Sequence, residues 1–253
     1  MGLYLGKDKI SALRTIEKAT ASMKAYLEAG GKCGNSTVTT FDGCWQASDW
    51  ENMTDMTDMF SECRKLTSAP AINTSKVTNM NNMFYYCENL TSIPALDTSN
   101  VTSMRYMFYS CRKLTSIPMM DTSKVTDMYD MFGYCSLLTS VPVLDTSNVK
   151  NMDHMFERCE LLKSIPAIDV SNVTNMNAML WYCENLETIH MHGMKVSFSI
   201  SASTKFTREA IVEILNNLAT VTTSRTLTMG STNLAKLTDE DKAIATGKGW
   251  TLK

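Results

Sequence analysis

Six cysteines, Cys63, Cys87, Cys111, Cys135, Cys159 and Cys183, stand 24 positions apart, so the middle of this chain is one unit written six times. A fixed period of this size marks a supersecondary unit that cannot bury its own apolar face. It must stack on its neighbours, and the stack is a solenoid. The period runs over residues 52–192. It leaves two flanks, 1–51 and 193–253, that are too small to need cores of their own. We expect one continuous body with capped ends.

A full unit reads LTSIPALDTSNVTSMRYMFYSCRK from Leu90. Val77, Val101, Val125, Val149 and Val173 share one apolar position, and Met80, Met104, Met128, Met152 and Met176 the next. The Met-Phe pairs from Met59-Phe60 to Met155-Phe156 follow, then the weaker Met179-Leu180. Most of the 20 methionines therefore occupy fixed core positions. Leu-x-x-Ile before each Pro predicts a short strand that the proline, lacking a donor, ends. Asp-Thr-Ser-Asn predicts a turn, because these side chains bond their own backbone. Val-Thr-x-Met predicts a second short extended piece. Met-x-x-Met-Phe-x-x-Cys has the three- and four-residue spacing of one or two helical turns.

The flanks read as closures. Over residues 7–29, Ile10, Leu13, Ile16, Ala19, Met23 and Leu27 recur at helical spacing until Gly30-Gly31, which predicts an amphipathic helix over the open first unit. A turn-rich connector with Cys33, Cys44, Trp45 and Trp50 follows. In the tail we expect a strand over 195–201, a helix from Thr207 to about Ala219, a strand over 224–229, a helix from Thr238 to Gly247, and a final strand over 249–252.

A net charge of −2 offers no basic stripe for nucleic acid. The first ten residues contain no apolar leader core, and no apolar run is long enough to span a bilayer, so no membrane insertion is expected. None of the phosphate-loop, zinc-protease, nucleophile-elbow or Cys-x-x-Cys patterns is present. An enzyme is not expected.

Two ladders invite chemistry and have simpler readings. Stacked cysteines sit about 4.8 Å apart, wider than the roughly 3.8 Å between β-carbons that a disulfide prefers. They also diverge along an axis where zinc needs converging ligands. Buried reduced thiols are expected. Asn73, Asp97, Asp121, Asp145 and Asp169 could line up for calcium, but each begins the same turn and can cap it. His190 and His192 fall on one strand face of the last unit, and His154 reads as an isolated surface residue. No metal or cofactor site is expected.

The functional signal lies where the unit varies. The positions between the methionines and between Phe and Cys contain Tyr85, Tyr86, Tyr106, Tyr109, Tyr129, Tyr134, Trp181 and Tyr182, which include seven of the nine tyrosines. Stacking would align these rings along one flank, and aromatic rings with polar tips suit recognition of a protein or a glycan. Glu157 and Arg158 interrupt the stripe. The alternative is that the rings seal the core and the body is a structural spacer or assembly subunit.

The pattern L-T-S-I-P-x-L-D-T-S-N-V-T-x-M-x-x-M-F-x-x-C resembles the BspA-like leucine-rich repeat of bacterial surface proteins over residues 52–192. The segment LTMGSTNLAKLTDEDKAIATGKGWTL resembles the C-terminal unit that often closes such proteins, including prophage-encoded ones. The resemblance implies an α/β fold, a right-handed leucine-rich-repeat solenoid of about six units with a helical N-terminal cap and an α/β C-terminal cap. It implies binding or adhesion at a cell surface or on a virion, such as in a phage tail, and no catalysis. Oligomeric state stays open.

Overall fold

The computed structural model describes residues 53–69 and 71–253. The expected N-terminal helix and Cys33 and Cys44 lie outside the described residues. Within the body, successive 24-residue units stack in register. Single parallel bridges run Asp55, Asn79, Ser103, Asp127, Asn151, Asn175 along the Val-Thr-x-Met position. Each Val-Thr amide donates back one unit, as Thr102 N–H does to the Thr78 carbonyl at 2.9 Å.

The interior is a set of side-chain files. Phe60, Phe84, Phe108, Phe132 and Phe156 stack nearly parallel with ring centres 5.3 to 5.6 Å apart. Beside them the six cysteines are buried, and the thiols of Cys87, Cys111, Cys135, Cys159 and Cys183 are free. From Cys87 on, each Sγ donates to the Phe carbonyl of the preceding unit at 3.0 to 3.2 Å. Burial pushes the Cys183 thiol up to about 12 and raises those of Cys87, Cys111, Cys135 and Cys159 as well. These cysteines behave as small hydrophobes with a weak donor.

The Asp-Thr-Ser-Asn segment turns as its residues require. Asp97 Oδ1 accepts from the Ser99 amide at 3.1 Å and its hydroxyl at 2.6 Å, and Asn73, Asp121 and Asp145 do the same. The Ser99 and Ser123 hydrogen bonds hold the Asp97 and Asp121 carboxyls below the usual carboxylate range.

Two expectations about local conformation are corrected. Met-x-x-Met-Phe-x-x-Cys forms consecutive tight turns, with no helix. In each unit the residue before the second Met and the residue before Cys are left-handed, as at Tyr106 (φ 55°) and Ser110 (φ 59°). That conformation costs an L-residue roughly 1–2 kcal/mol, and it persists because it aims alternate amides at the next unit. Tyr106, Phe108 and Ser110 donate to the carbonyls of Tyr129, Met131 and Gly133 at 2.9, 2.9 and 2.7 Å. The second correction concerns the Leu-x-x-Ile segment. Among the described residues it reaches strand length only at β1 (Ser164–Asp169) and β2 (Thr188–His192), which pair in parallel. Proline does not end β1. The strand runs through Pro166, and the pairing shifts between Ile165 and Ile168 to pass the missing donor.

The tail changes style. A three-stranded parallel sheet orders β3 (Phe198–Ser199), β4 (Arg225–Thr228) and β5 (Trp250–Leu252). Helix α1 (Arg208–Asn217) starts at Thr207, whose hydroxyl accepts from the Ala210 amide. A short helix, α2 (Gly230–Leu234), adds to the expected elements. Helix α3 (Asp239–Thr246) carries a full capping box between Thr238 and Asp241 and ends at Gly247. Strand β3 is shorter than expected because its register with β4 covers only Phe198 and Ser199, after which the Ile200 amide makes a last bond to the Thr228 carbonyl. Arg208 reaches from α1 to both Asp241 oxygens at 2.7 and 2.8 Å, tying the two capped helices together. No described helix is long and apolar enough to cross a membrane.

Candidate functional site

The aromatic residues of the varied turn positions gather on one flank, but their rings do not form a single file. Tyr85 stacks on Tyr109 across units, 5.2 Å and 18° apart, and meets Tyr86 edge-on at 4.6 Å. Tyr106 contacts Tyr85, Tyr109 and Tyr129, and Tyr109 contacts Tyr134 at 5.2 Å. Six tyrosines thus make one connected cluster. Each is half-buried and packs against neighbouring rings. Partial burial raises the phenols of Tyr85, Tyr106 and Tyr109, so all three stay protonated hydroxyls. Trp181 and Tyr182 form a separate pair, ring centres 5.0 Å apart, with Trp181 49% exposed.

Arginines of the same chain already use part of this surface. The Arg64 guanidinium lies over Tyr86 at 5.3 Å. That of Arg105 lies over Tyr129 at 4.9 Å while bonding Asp127 at 2.9 Å. Arg158, expected to interrupt the stripe, bridges it instead, 5.4 Å from the Tyr134 ring and 4.1 Å from Tyr182.

Beneath the rings sits a knot of charge. Gly133 occupies the position of Tyr85 and Tyr109 in its unit, and a β-carbon there would lie 1.9 Å from Asp130 Oδ1 and 3.0 Å from the Tyr109 ring. Only glycine lets the Asp130 carboxyl fold in. Burial, then the nearby Glu157 and Asp153, push that carboxyl up to about 7. His154, expected to be an isolated surface residue, is half-buried between Asp153 (3.0 Å) and Glu157 (3.7 Å). Five buried side-chain polar atoms lack a hydrogen-bond partner among the described residues. Four of them, on Asp130, Asp153, His154 and Arg158, lie in this knot, where the contacts of His154 Nδ1 with Asp153 Oδ1 and of Arg158 Nε with Glu157 Oε1 are ion pairs and not aligned hydrogen bonds.

The remaining candidates do not converge. His190 pairs with Glu213 on α1 at 2.6 Å, and His192 lies 3.5 Å from Asp169. Among the described residues no group of three His, Cys, Asp or Glu side chains could hold a metal ion.

Where the body meets the tail, a cleft of about 280 Å³ opens between Ala178, Leu180 and Trp181 on one side and Ser199, Ser201 and Ala202 on the other. Its only signal in the sequence is the failure of the turn pattern after His192, where no Met-Phe pair follows.

No curated protein sequence matches the chain. Among solved structures it is similar to the crystal structure of a leucine rich repeat protein of T. pallidum, TpLRR. The two are 13% identical, with a TM-score of 0.41, over 80% of this chain and 79% of that one. A family model matches residues 35–140 and again 111–213, taking in the cysteine file, the tyrosine cluster and the charged knot. The chain accordingly belongs to the family described as Mycoplasma protein of unknown function, DUF285.

Proposed function

We propose that this protein is a non-catalytic binding module of the BspA-like type. In this reading it is a right-handed leucine-rich-repeat solenoid closed at both ends, which presents its turn flank to a protein or a glycan at a cell surface or on a virion. The observation that supports the reading is the connected tyrosine cluster. Tyr85, Tyr106 and Tyr109 are held by one another and stay only half-buried. A ligand landing there meets a large amphipathic surface that is already ordered, which lowers the entropic cost of binding. Glycan and cell-binding screens with Tyr85, Tyr109 and Trp181 changed to Ala test it. Binding should drop at least tenfold, and unchanged binding overturns the proposal.

The half-burial of the rings favours a second reading, in which the cluster locks turns in register and the body acts as a spacer or assembly subunit. The same three variants separate the two. A spacer loses thermal stability with each ring removed, and no ligand emerges from either screen.

A further inference from the structure

Throughout the body, alternate turn amides point forward and are taken by the next unit. His154, Phe156 and Arg158 donate to the carbonyls of Asn177, Met179 and Trp181 at 2.9, 3.0 and 2.7 Å. In the sixth unit the corresponding amides belong to Ala178, Leu180 and Tyr182, and none finds an acceptor among the described residues. The alternate amides are satisfied within the turns, Met179 by the Met176 carbonyl, Trp181 by that of Ala178 and Cys183 by that of Leu180. The next stretch of chain supplies no carbonyls because it has turned to other partners. Phe198 and Ser199 pair with β4, and the Ile200 amide donates to Thr228 at 2.8 Å. The ladder therefore stops at an open edge, and the cleft with the exposed Trp181 lies on that edge.

The chemistry of this edge is one-sided. Ala178 (φ 48°) and Tyr182 (φ 58°) are left-handed, so the free groups facing the tail are N–H donors, in the arrangement that makes backbone nests for anions. The Arg158 guanidinium lies beside this edge, 4.1 Å from the Tyr182 ring centre, with Glu157 Oε1 4.0 Å from its Nε. An extended peptide strand fits poorly, since its edge alternates donors with acceptors and half its groups would face donors. A carboxylate offers acceptors alone. Beside it, Leu180 and Trp181 provide an apolar wall, and the cleft has room for about one side chain.

We propose that this end of the turn stack binds the C-terminal carboxylate of a peptide whose last residue is apolar, the carboxylate on the free amides and the side chain against Trp181. The site is separate from the tyrosine cluster and does not rest on the flank reading. Titrating ¹⁵N-labelled full chain with N-acetyl-leucine, and in parallel with N-acetyl-leucinamide, tests it. The acid should give saturable downfield shifts of the Ala178, Leu180 and Tyr182 amide protons while those of His154 and Phe156 stay still. The neutral amide should bind at least tenfold more weakly. Ala202→Trp, which fills the cleft, and Trp181→Ala, which removes its wall at an exposed position, should each weaken acid binding by a similar factor. No shift with the acid, equal shifts with the amide, or full binding by Trp181→Ala overturns the proposal.

Discussion

The repeat body and the tail solve the same problem, ordering a chain around a core, in opposite ways. In the tail, conformation is secured locally. Thr207 caps α1, Thr238 and Asp241 cap α3 reciprocally, and each helix satisfies its own amides. In the body, tight turns bond locally, as the Tyr109 amide does to the Tyr106 carbonyl, but the strained residues within them also rely on other units. Tyr106 and Ser110 sit in a backbone region that L-residues avoid, and the bonds that hold them there come from the units on either side. A segment of the tail carries its own instructions, whereas a segment of the body depends on its neighbours. Damage should therefore spread along the body and stay put in the tail.

The strongest way to break that contrast is Phe108→Ala. Phe108 is fully buried between Phe84 and Phe132, and its loss is expected to cost about 3–5 kcal/mol. Denaturant unfolding measures the cost. Hydrogen exchange should speed up in the units of Cys87 and Cys135 together, and a loss of protection confined to one unit would refute non-local stabilisation.

A smaller effect is expected from Asp130→Asn, read against pH. The folded carboxyl titrates near 7, above its unfolded value, so the folded state holds a proton that the unfolded state has released. Stability from this group is intact at low pH and is lost as pH rises from about 4 through 7. After allowance for solvent screening the loss is about 1–2 kcal/mol. The amide cannot ionise and should remove that loss, so the variant gains on the parent between about pH 5 and 8, as seen by thermal unfolding at each pH. Parallel pH profiles would show that Asp130 titrates normally.

The finest test pairs the two styles. Thr238→Ala removes a local cap and should cost about 1 kcal/mol, with faster exchange restricted to α3. Ala178→Gly removes left-handed strain and should stabilise by up to about 1 kcal/mol. If glycine there destabilises, the turn geometry is wrong.

These differences also set what could be read in advance. The cysteine period and the Val, Met and Phe columns place the core because stacked units repeat side chains in register. The caps at Thr207 and Thr238 announce themselves because the bonds they make are short-range. The left-handed turns were hidden. Met80, Met83 and Cys87 have helical spacing, yet two successive turns return the chain to the same face at the same intervals, and sequence spacing alone does not separate the two. Asp130 and Gly133 are unremarkable apart and matter only once a β-carbon is seen to collide with the carboxyl. The open amides of the sixth unit are a break between repeats, and no motif within a repeat records a missing neighbour.

Because every Cys Sγ from Cys87 to Cys183 reaches back the same 27 residues to an equivalent carbonyl, the body has no privileged length. Excising or duplicating 24 residues in frame rejoins like surfaces. The coding sequence can therefore lengthen or shorten by recombination between its own copies while the protein keeps a seamless interior.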